Sequence, residues 1–164
     1  MKRPELIQTK IFSLQELKQK CGQWKTFGKK IVFTNGVFDI LHSGHLASLS
    51  AAAKEGDHLV IGLNSDSSVK RLKGEGRPLN DQQSRATVLA ALMITDAITI
   101  FDEDTPLELI RSILPDVIVK GGDYTVEQIA GAKEVLAAGG RVVINPILEG
   151  FSTTSLIDRM KKTK

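Results

Sequence analysis

The sequence predicts an α/β protein built on an open, mostly parallel five-stranded sheet with helices on both faces. Three observations lead there. Short apolar runs alternate along the chain with helical patterns. Those runs are apolar without interruption, as strands covered on both faces are. The chain has 164 residues, 41% hydrophobic and 25% charged, enough for one domain with its own core and a radius of gyration of about 15 Å. The expectation is a single domain over 1–164, with 1–30 an N-terminal helical segment and 152–162 a C-terminal helix.

Each element has a local reason. Ser13-Leu14-Gln15-Glu16 has capping-box spacing and opens a helix over about 13–27, carrying Leu17, Trp24 and Phe27. Ile31-Val32-Phe33, bounded by Asn35-Gly36, is the first strand. A helix begins near Ser43, with Leu46 and Leu49 on one face, and Gly56 ends it. His58 to Leu63 is the second strand. Positions 65–80 are polar, basic and glycine-containing, and read as a loop. Asp81 starts a helix through Val88, Leu89 and Leu92, and Ala97 to Phe101 is the third strand. Pro106 to Ile113 is a helix with proline near its first turn. Asp116 to Lys120 is the fourth strand, Glu127 to Ala138 a helix and Arg141 to Asn145 the fifth strand; Ser152 opens a final helix to about Lys161. Right-handed crossovers join such strands, and ligands bind beyond their carboxyl ends. A motif directly after a strand therefore carries more weight.

Composition excludes several classes. No run of about 18 apolar residues exists, so no membrane span is expected. The N-terminus lacks the apolar segment of a signal peptide, and a cytoplasmic location is expected. A single cysteine, Cys21, rules out an internal disulfide framework and a Cys-rich zinc site. The formal net charge of +3 hides an asymmetry: residues 1–30 carry eight basic and two acidic residues, 159–164 carry four basic and none acidic, and 31–158 carry ten basic and seventeen acidic. Five of those ten, Lys70, Arg71, Lys73, Arg77 and Arg85, fall within 70–85. That is a local anion site in an acidic body rather than a nucleic-acid stripe.

Four motifs follow strands. Gly36-Val37-Phe38-Asp39-Ile40-Leu41-His42-Ser43-Gly44-His45 holds two of the three histidines, spaced to share one side of a helix start. The free N–H groups of a first helical turn favour an anion, Gly44 opens room for a phosphate, and histidines there can donate to phosphate oxygens. The alternative is one capping and one core histidine; the strand–turn–helix context favours function. A zinc site lacks a third Cys or His at ligand spacing. Asn64-Ser65-Asp66 precedes the basic stretch containing Arg71, Lys73, Arg77 and Arg85, whose alternative is a solvated basic loop. Val119 to Tyr124 contains Lys120, Gly121, Gly122 and Asp123, where glycines allow close backbone approach and the lysine adds a point charge; a plain turn is the alternative. Gly150-Phe151-Ser152-Thr153-Thr154-Ser155 sets consecutive hydroxyls at a helix start, a phosphate cradle.

The histidine motif resembles the HxGH signature of the nucleotidyltransferase superfamily, and Thr34 to His45 is similar to its cytidylyltransferase-type branch. Ser152 to Ser155 resembles the S-T-T segment of the same family, and together the motifs span 34–154. The resemblance implies a Rossmann-like domain in which Asn35, Gly36, Val37, Phe38, His42, Gly44, His45, Lys120, Gly121, Gly122, Asp123, Ser152, Thr153 and Thr154 bind the nucleotide. It implies that His42, His45 and Lys73 stabilise the reacting phosphates, and that Asn64, Asp66, Arg71, Arg77 and Arg85 bind the second, anionic substrate, with Lys120 a further candidate there. Within the branch the strings Asn64-Ser65-Asp66, Lys70 to Gly74, Arg77-Pro78, Asp104-Thr105-Pro106, Ile113 to Asp116 and Gly131 to Val135 resemble heptose 1-phosphate adenylyltransferases. That implies ATP with Mg²⁺ as donor, D-glycero-β-D-manno-heptose 1-phosphate as acceptor, ADP-heptose and pyrophosphate as products, and a place in lipopolysaccharide core synthesis. A ribokinase-type sugar kinase often accompanies such a domain; it cannot fit in 164 residues, so a separate kinase is expected. Glycerol-phosphate cytidylyltransferases carry Arg-Thr shortly before the S-T-T segment where this chain has Ile147 and Leu148, and tend to have arginine where it has Met93. A CTP-using cytidylyltransferase and a non-catalytic nucleotide-binding module are the rival readings. Relatives often form dimers; helix 13–27, with Trp24 and Phe27, is the candidate interface, and packing of both rings on the chain's own sheet is the alternative.

Overall fold

The structure is a computed structural model that describes residues 3–146. The motif at 150–155, Ile147, Leu148 and the expected final helix lie outside the described residues. Two 3₁₀ turns, Pro4–Leu6 and Gln8–Lys10, precede α1, Leu14–Thr26. Then come β1, Ile31–Gly36; α2, Ser43–Ala53; β2, His58–Asn64; α3, Asp66–Lys73; α4, Gln82–Ala90; and β3, Ala97–Phe101. The chain continues through α5, Leu107–Ile113; β4, Val117–Gly121; α6, Ala132–Ala137; and β5, Arg141–Asn145. All five strands are parallel, in the order β3-β2-β1-β4-β5.

The five strands match the sequence expectation to within one residue at each described end, apart from β1, which runs on to Gly36. Their side chains divide between two cores. Ile31 and Phe33 of β1 face α1, α5 and α6, with Leu17, Ile110 and Val135. Val32 faces the other way, toward α2 and α4, with Leu49, Ala86 and Leu89. Continuous apolar runs are what this two-sided burial demands. Ser13 caps α1 as its spacing implies: Glu16 N–H donates to Ser13 Oγ and the Glu16 carboxylate accepts the Ser13 N–H.

Two expectations need correction. Residues 66–73 form a helix rather than part of a loop. Ser65 caps it by accepting the Ser68 N–H at 3.0 Å, Asp66 sits in its first turn, and Lys70, Arg71 and Lys73 sit in its last. Caps and charges aligned with the helix dipole hold this helix with Val69 as its one buried hydrophobe, so the apolar periodicity was too thin to read. The helix expected over 127–138 is two pieces, a 3₁₀ turn at Val126–Gln128 and α6. Gly131 divides them with φ +80°, and a Cβ there would lie 2.5 Å from Ile110 Cγ2. Gly131→Ala is expected to destabilise the domain by about 2–4 kcal/mol, strain and overpacking together. A urea-denaturation midpoint equal to that of the parent protein would refute this.

The N-terminal segment is more than a helical arm. Ile11 forms a parallel bridge with Ile98, and Phe12 N–H donates to Ile98 O at 2.8 Å, so the chain is laid against β3 before α1 begins. On α1, Trp24 stacks on His58 at 4.1 Å and packs against the core, whereas Phe27 is 80% exposed. Trp24 thus serves the chain's own fold.

Candidate active site

The strand order reverses direction between β1 and β4: β1 leads to β2 and β3 on one side, and β4 to β5 on the other. Loops leaving the carboxyl ends of these neighbours diverge and open a crevice, where open α/β sheets bind ligands. A cavity of about 300 Å³ lies here. Its lining includes Asn35, Gly36 and Val37 from the end of β1, Asn64 from β2, and Lys120 and Tyr124 from the end of β4.

The loop after β1 carries the histidines. It is bent by Phe38, whose φ of 47° is unusual for a residue with a side chain. Asp39 holds the bend. Its buried carboxylate accepts the N–H groups of Leu79 and Asn80 at 2.8 and 2.9 Å and Arg77 Nε at 2.7 Å. Burial alone would push Asp39 upward, but the amides of Asn80 and Leu79 and the Arg77 charge outweigh it and hold the carboxyl below its usual value. The loop ends at His42, the N-cap of α2, whose Nδ1 accepts the His45 N–H at 3.4 Å. An imidazole that accepts at Nδ1 carries its proton on Nε2 when neutral. The two rings stack at 3.8 Å, and Phe38 meets His45 edge-on at 5.4 Å. Burial lowers the pKa of His42. Burial, assisted by the neighbouring His42, pushes His45 down to about 4 against an opposing effect of the Ile40 backbone. Both are neutral hydrogen-bonding groups at pH 7.

This has a consequence for stability. In the unfolded chain His45 takes up a proton near pH 6.5; in the folded protein it does so only near 4. Between these values the unfolded state binds more protons, so stability is full above about 6.5 and falls as pH drops toward 4. A His45→Gln variant is expected to lose less stability across that window than the parent chain. Parallel pH slopes of the two denaturation midpoints would contradict it.

Across the crevice, Lys120 Nζ donates to Asn35 Oδ1 at 3.0 Å, joining β4 to β1, and lies 5.7 Å from the centre of the Tyr124 ring. Burial lowers its pKa. A Cβ on Gly121 would approach Ser48 Oγ of α2 to 3.3 Å, so glycine lets α2 come close to this strand end. Asn64 Nδ2 donates to Ser68 Oγ at 3.0 Å. Lys73 is exposed in the last turn of α3, and Asp123 is exposed beyond β4.

The arginines stand apart from what the sequence led us to expect. Arg85 is buried and fully committed to the protein. Its Nε donates to Asn80 O at 3.0 Å, Nη1 to Val37 O at 2.6 Å and Nη2 to Asp66 Oδ1 at 2.7 Å. Its side chain is 1% exposed, leaving no surface for a substrate. Arg77 is held by Asp39, and Asp66 by Arg85. Arg71 donates through Nε to Asp104 Oδ1 at 2.8 Å and through Nη2 to Asp102 O, tying α3 to the loop after β3. These charges knot the loops that frame the site.

Several site residues escaped the sequence reading. Asn80 accepts from Arg85 through its backbone and donates through Nδ2 to Asp39 O at 2.6 Å. Thr105, Pro106, Gln128 and Ile129 line the cavity. Thr125-Val126-Glu127-Gln128 has capping-box spacing, a signal that would have placed Gln128 beside the loop after β4. The buried Nδ2 of Asn145, at the end of β5, has no partner among the described residues.

The cytidylyltransferase-like family matches residues 33–159. The chain belongs to that family. By that family it is a nucleotidyltransferase. Residues of this chain are also 56% identical over 147 residues to the bifunctional protein HldE of Nitrobacter hamburgensis, covering 90% of this chain and 30% of that protein. HldE of Mesorhizobium japonicum is 56% identical over 138 residues, covering 84% and 28%. The chain thus spans about a third of the length of these curated relatives. The crystal structure of the lipopolysaccharide core biosynthesis protein from Thermoplasma volcanium superposes with a TM-score of 0.59 at 30% identity, covering 74% of this chain and 98% of that one. A pantoate-beta-alanine ligase from Francisella tularensis shares the fold, with a TM-score of 0.60 at 12% identity over 92% of this chain and 76% of its own. Among the described residues no helix of this nucleotidyltransferase is long and apolar enough to cross a membrane.

Proposed function

We propose that this domain transfers the adenylyl group of ATP to D-glycero-β-D-manno-heptose 1-phosphate, releasing pyrophosphate and forming ADP-heptose for lipopolysaccharide core synthesis. The observation that carries this is the high identity to HldE across nine-tenths of the chain, together with motif strings resembling heptose 1-phosphate adenylyltransferases. The Thermoplasma neighbour, a lipopolysaccharide core biosynthesis protein, supports the same direction.

In the proposed reaction an oxygen of the sugar phosphate attacks the α-phosphorus of ATP. A new P–O bond forms, the bond to the bridging oxygen between the α- and β-phosphorus breaks, and its electron pair leaves with pyrophosphate. No protein nucleophile is required; positioning and stabilisation of developing charge suffice. The N-terminus of α2 receives the triphosphate on its free N–H groups. His42, protonated on Nε2, and His45 donate to phosphate oxygens that gain charge as pyrophosphate departs. Lys73 is assigned to the same phosphates by family resemblance, as are the hydroxyls of Ser152, Thr153 and Thr154, which lie outside the described residues. Arg77, Arg85 and Asp66 act by positioning: they hold Val37, Asp39 and Asn80, and so the histidine loop. Among the described residues no three His, Cys, Asp or Glu side chains come together as metal ligands. Mg²⁺, where it takes part, would be held mainly by triphosphate oxygens and water and would neutralise charge on them, while the chain's own residues carry the steps above.

The test is pyrophosphate release from the purified chain with ATP or CTP and a panel of heptose, hexose and glycerol phosphates. Turnover with ATP and the heptose 1-phosphate is expected to exceed every other pairing by about 100-fold or more, because a site that hydrogen-bonds its substrate rejects a poor match strongly. Turnover confined to CTP would overturn the proposal.

A further inference from the structure

The histidine loop turns on one strained residue. Phe38 has φ 47°, a conformation that a side chain disfavours and that persists only where neighbours over-determine it. Here they do so on both flanks. Val37 O, before the turn, accepts Arg85 Nη1 at 2.6 Å. Asp39 O, after it, accepts Asn80 Nδ2 at 2.6 Å. The two donors are joined to each other, because Arg85 Nε donates to Asn80 O at 3.0 Å. The N–H of Asn80 also donates to Asp39 Oδ1 at 2.9 Å. Asn80 thus meets Asp39 twice, main chain to side chain and side chain to main chain. The carbonyls on either side of Phe38 are held by one connected unit.

The turn decides where the Phe38 ring goes. It folds back over Gly36, where a Cβ would lie 3.0 Å from Phe38 Cε2. It also meets the His45 ring edge-on at 5.4 Å, and His45 in turn stacks on His42 at 3.8 Å. Phe38 therefore backs the inner histidine and keeps water from it. A loop relaxed from φ 47° would carry the ring away and open His45. Within the unit that prevents this, Asn80 is the member whose side chain can be changed alone. Arg85 is buried with three partners, and the Asp39 carboxylate gathers donors from Arg77, Leu79 and Asn80. Asn80 is exposed, and trimming its carboxamide leaves its own N–H and C=O contacts in place.

We propose that Asn80 is a positioning residue for nucleotidyl transfer: its carboxamide holds the Asp39 carbonyl, fixes the left-handed turn at Phe38 and so keeps the Phe38 ring against His45. Asn80 touches no substrate and acts through two intermediaries. Its effect on turnover rests on the proposed adenylyl transfer; its effect on His45 does not.

Two variants of the full chain test it. Asn80→Ala removes the donor. Asn80→Asp keeps the shape but sets a carboxylate oxygen against the Asp39 carbonyl and near the Asp39 carboxylate. The first readout is an NMR titration of the His45 ring, which burial pushes down to about 4 in the parent protein. Once the Phe38 ring withdraws, water reaches the imidazole, and its proton affinity is expected to rise about threefold in Asn80→Ala and about tenfold in Asn80→Asp. The second readout is steady-state kinetics with ATP and the heptose 1-phosphate. There kcat is expected to fall about fivefold and about twentyfold, with KM for both substrates within about threefold of the parent values. A merely structural role would lower the urea-denaturation midpoint and leave the His45 titration where it was, and that result would overturn the proposal. A raised KM for one substrate at unchanged kcat would make Asn80 a ligand of that substrate and overturn it too. If the His45 titration moves while heptose 1-phosphate is not adenylylated, the positioning of His45 stands and the proposed function falls. If heptose 1-phosphate is adenylylated by both variants at the parent rate, the function stands and the role of Asn80 falls.

Discussion

Arg85→Ala is expected to destabilise the domain by about 3 kcal/mol and to abolish most turnover. The guanidinium satisfies the carbonyls of Val37 and Asn80 and the carboxylate of Asp66 from one buried position. Removing it leaves two carbonyls without a donor, at roughly 1–3 kcal/mol each. The Asp66 pair adds less, because Asp66 is partly exposed. Arg85→Lys keeps the charge but not the planar fork that reaches three partners at once, and is expected to recover under half of the loss. Urea denaturation and steady-state kinetics separate the two roles open to this residue. A buried positioning arginine lowers the midpoint and kcat together. An unchanged midpoint with only a raised KM for the sugar phosphate would mean that Arg85 touches substrate after all.

His42→Ala and His45→Ala are each expected to lower kcat by about 10²–10³-fold, the usual cost of one lost donor to developing charge. The folded protein loses comparatively little from His42→Ala, since the N-cap is a weak one: the hydrogen bond to His45 N–H is 3.4 Å long. The stacked pair works as a unit, so the double variant is expected to be little worse than either single one. Because burial keeps both rings neutral at pH 7, activity is expected to stay flat from pH 7 to 8.5 as far as these groups are concerned. Pyrophosphate release by His42→Ala within threefold of the parent rate would remove the histidines from the chemistry.

The strands were readable in the sequence because two-sided burial leaves an unmistakable mark. Val32 and Phe33 point into different cores, and both must be apolar. Helix α3 was not readable, because a helix held by its cap and end charges lacks an apolar stripe. The break at Gly131 was also hidden: its φ of +80° and the approach of Ile110 belong to tertiary packing. Of the candidate site, the position of the histidine pair at a helix start and of Lys120 at a strand end was legible from the sequence. The roles of the arginines were not. Arg71, Arg77 and Arg85 all look like phosphate ligands in a basic stretch, yet their partners, Asp104, Asp39 and Asp66, lie 33, 38 and 19 residues away along the chain.

The sequence by itself determined the alternation of strands and helices, the placing of the histidine motif at a helix start, and the family. Those depend on local chemistry: caps, turn glycines and runs of apolar residues act over a few positions. Only the tertiary structure decided which positive charges are paired with carboxylates. A cation is consumed by whichever carboxylate the fold brings within hydrogen-bond reach, and that is a matter of strand order. Three arginines are paired with carboxylates, while Lys120, at the junction of β1 and β4, donates to the neutral amide of Asn35.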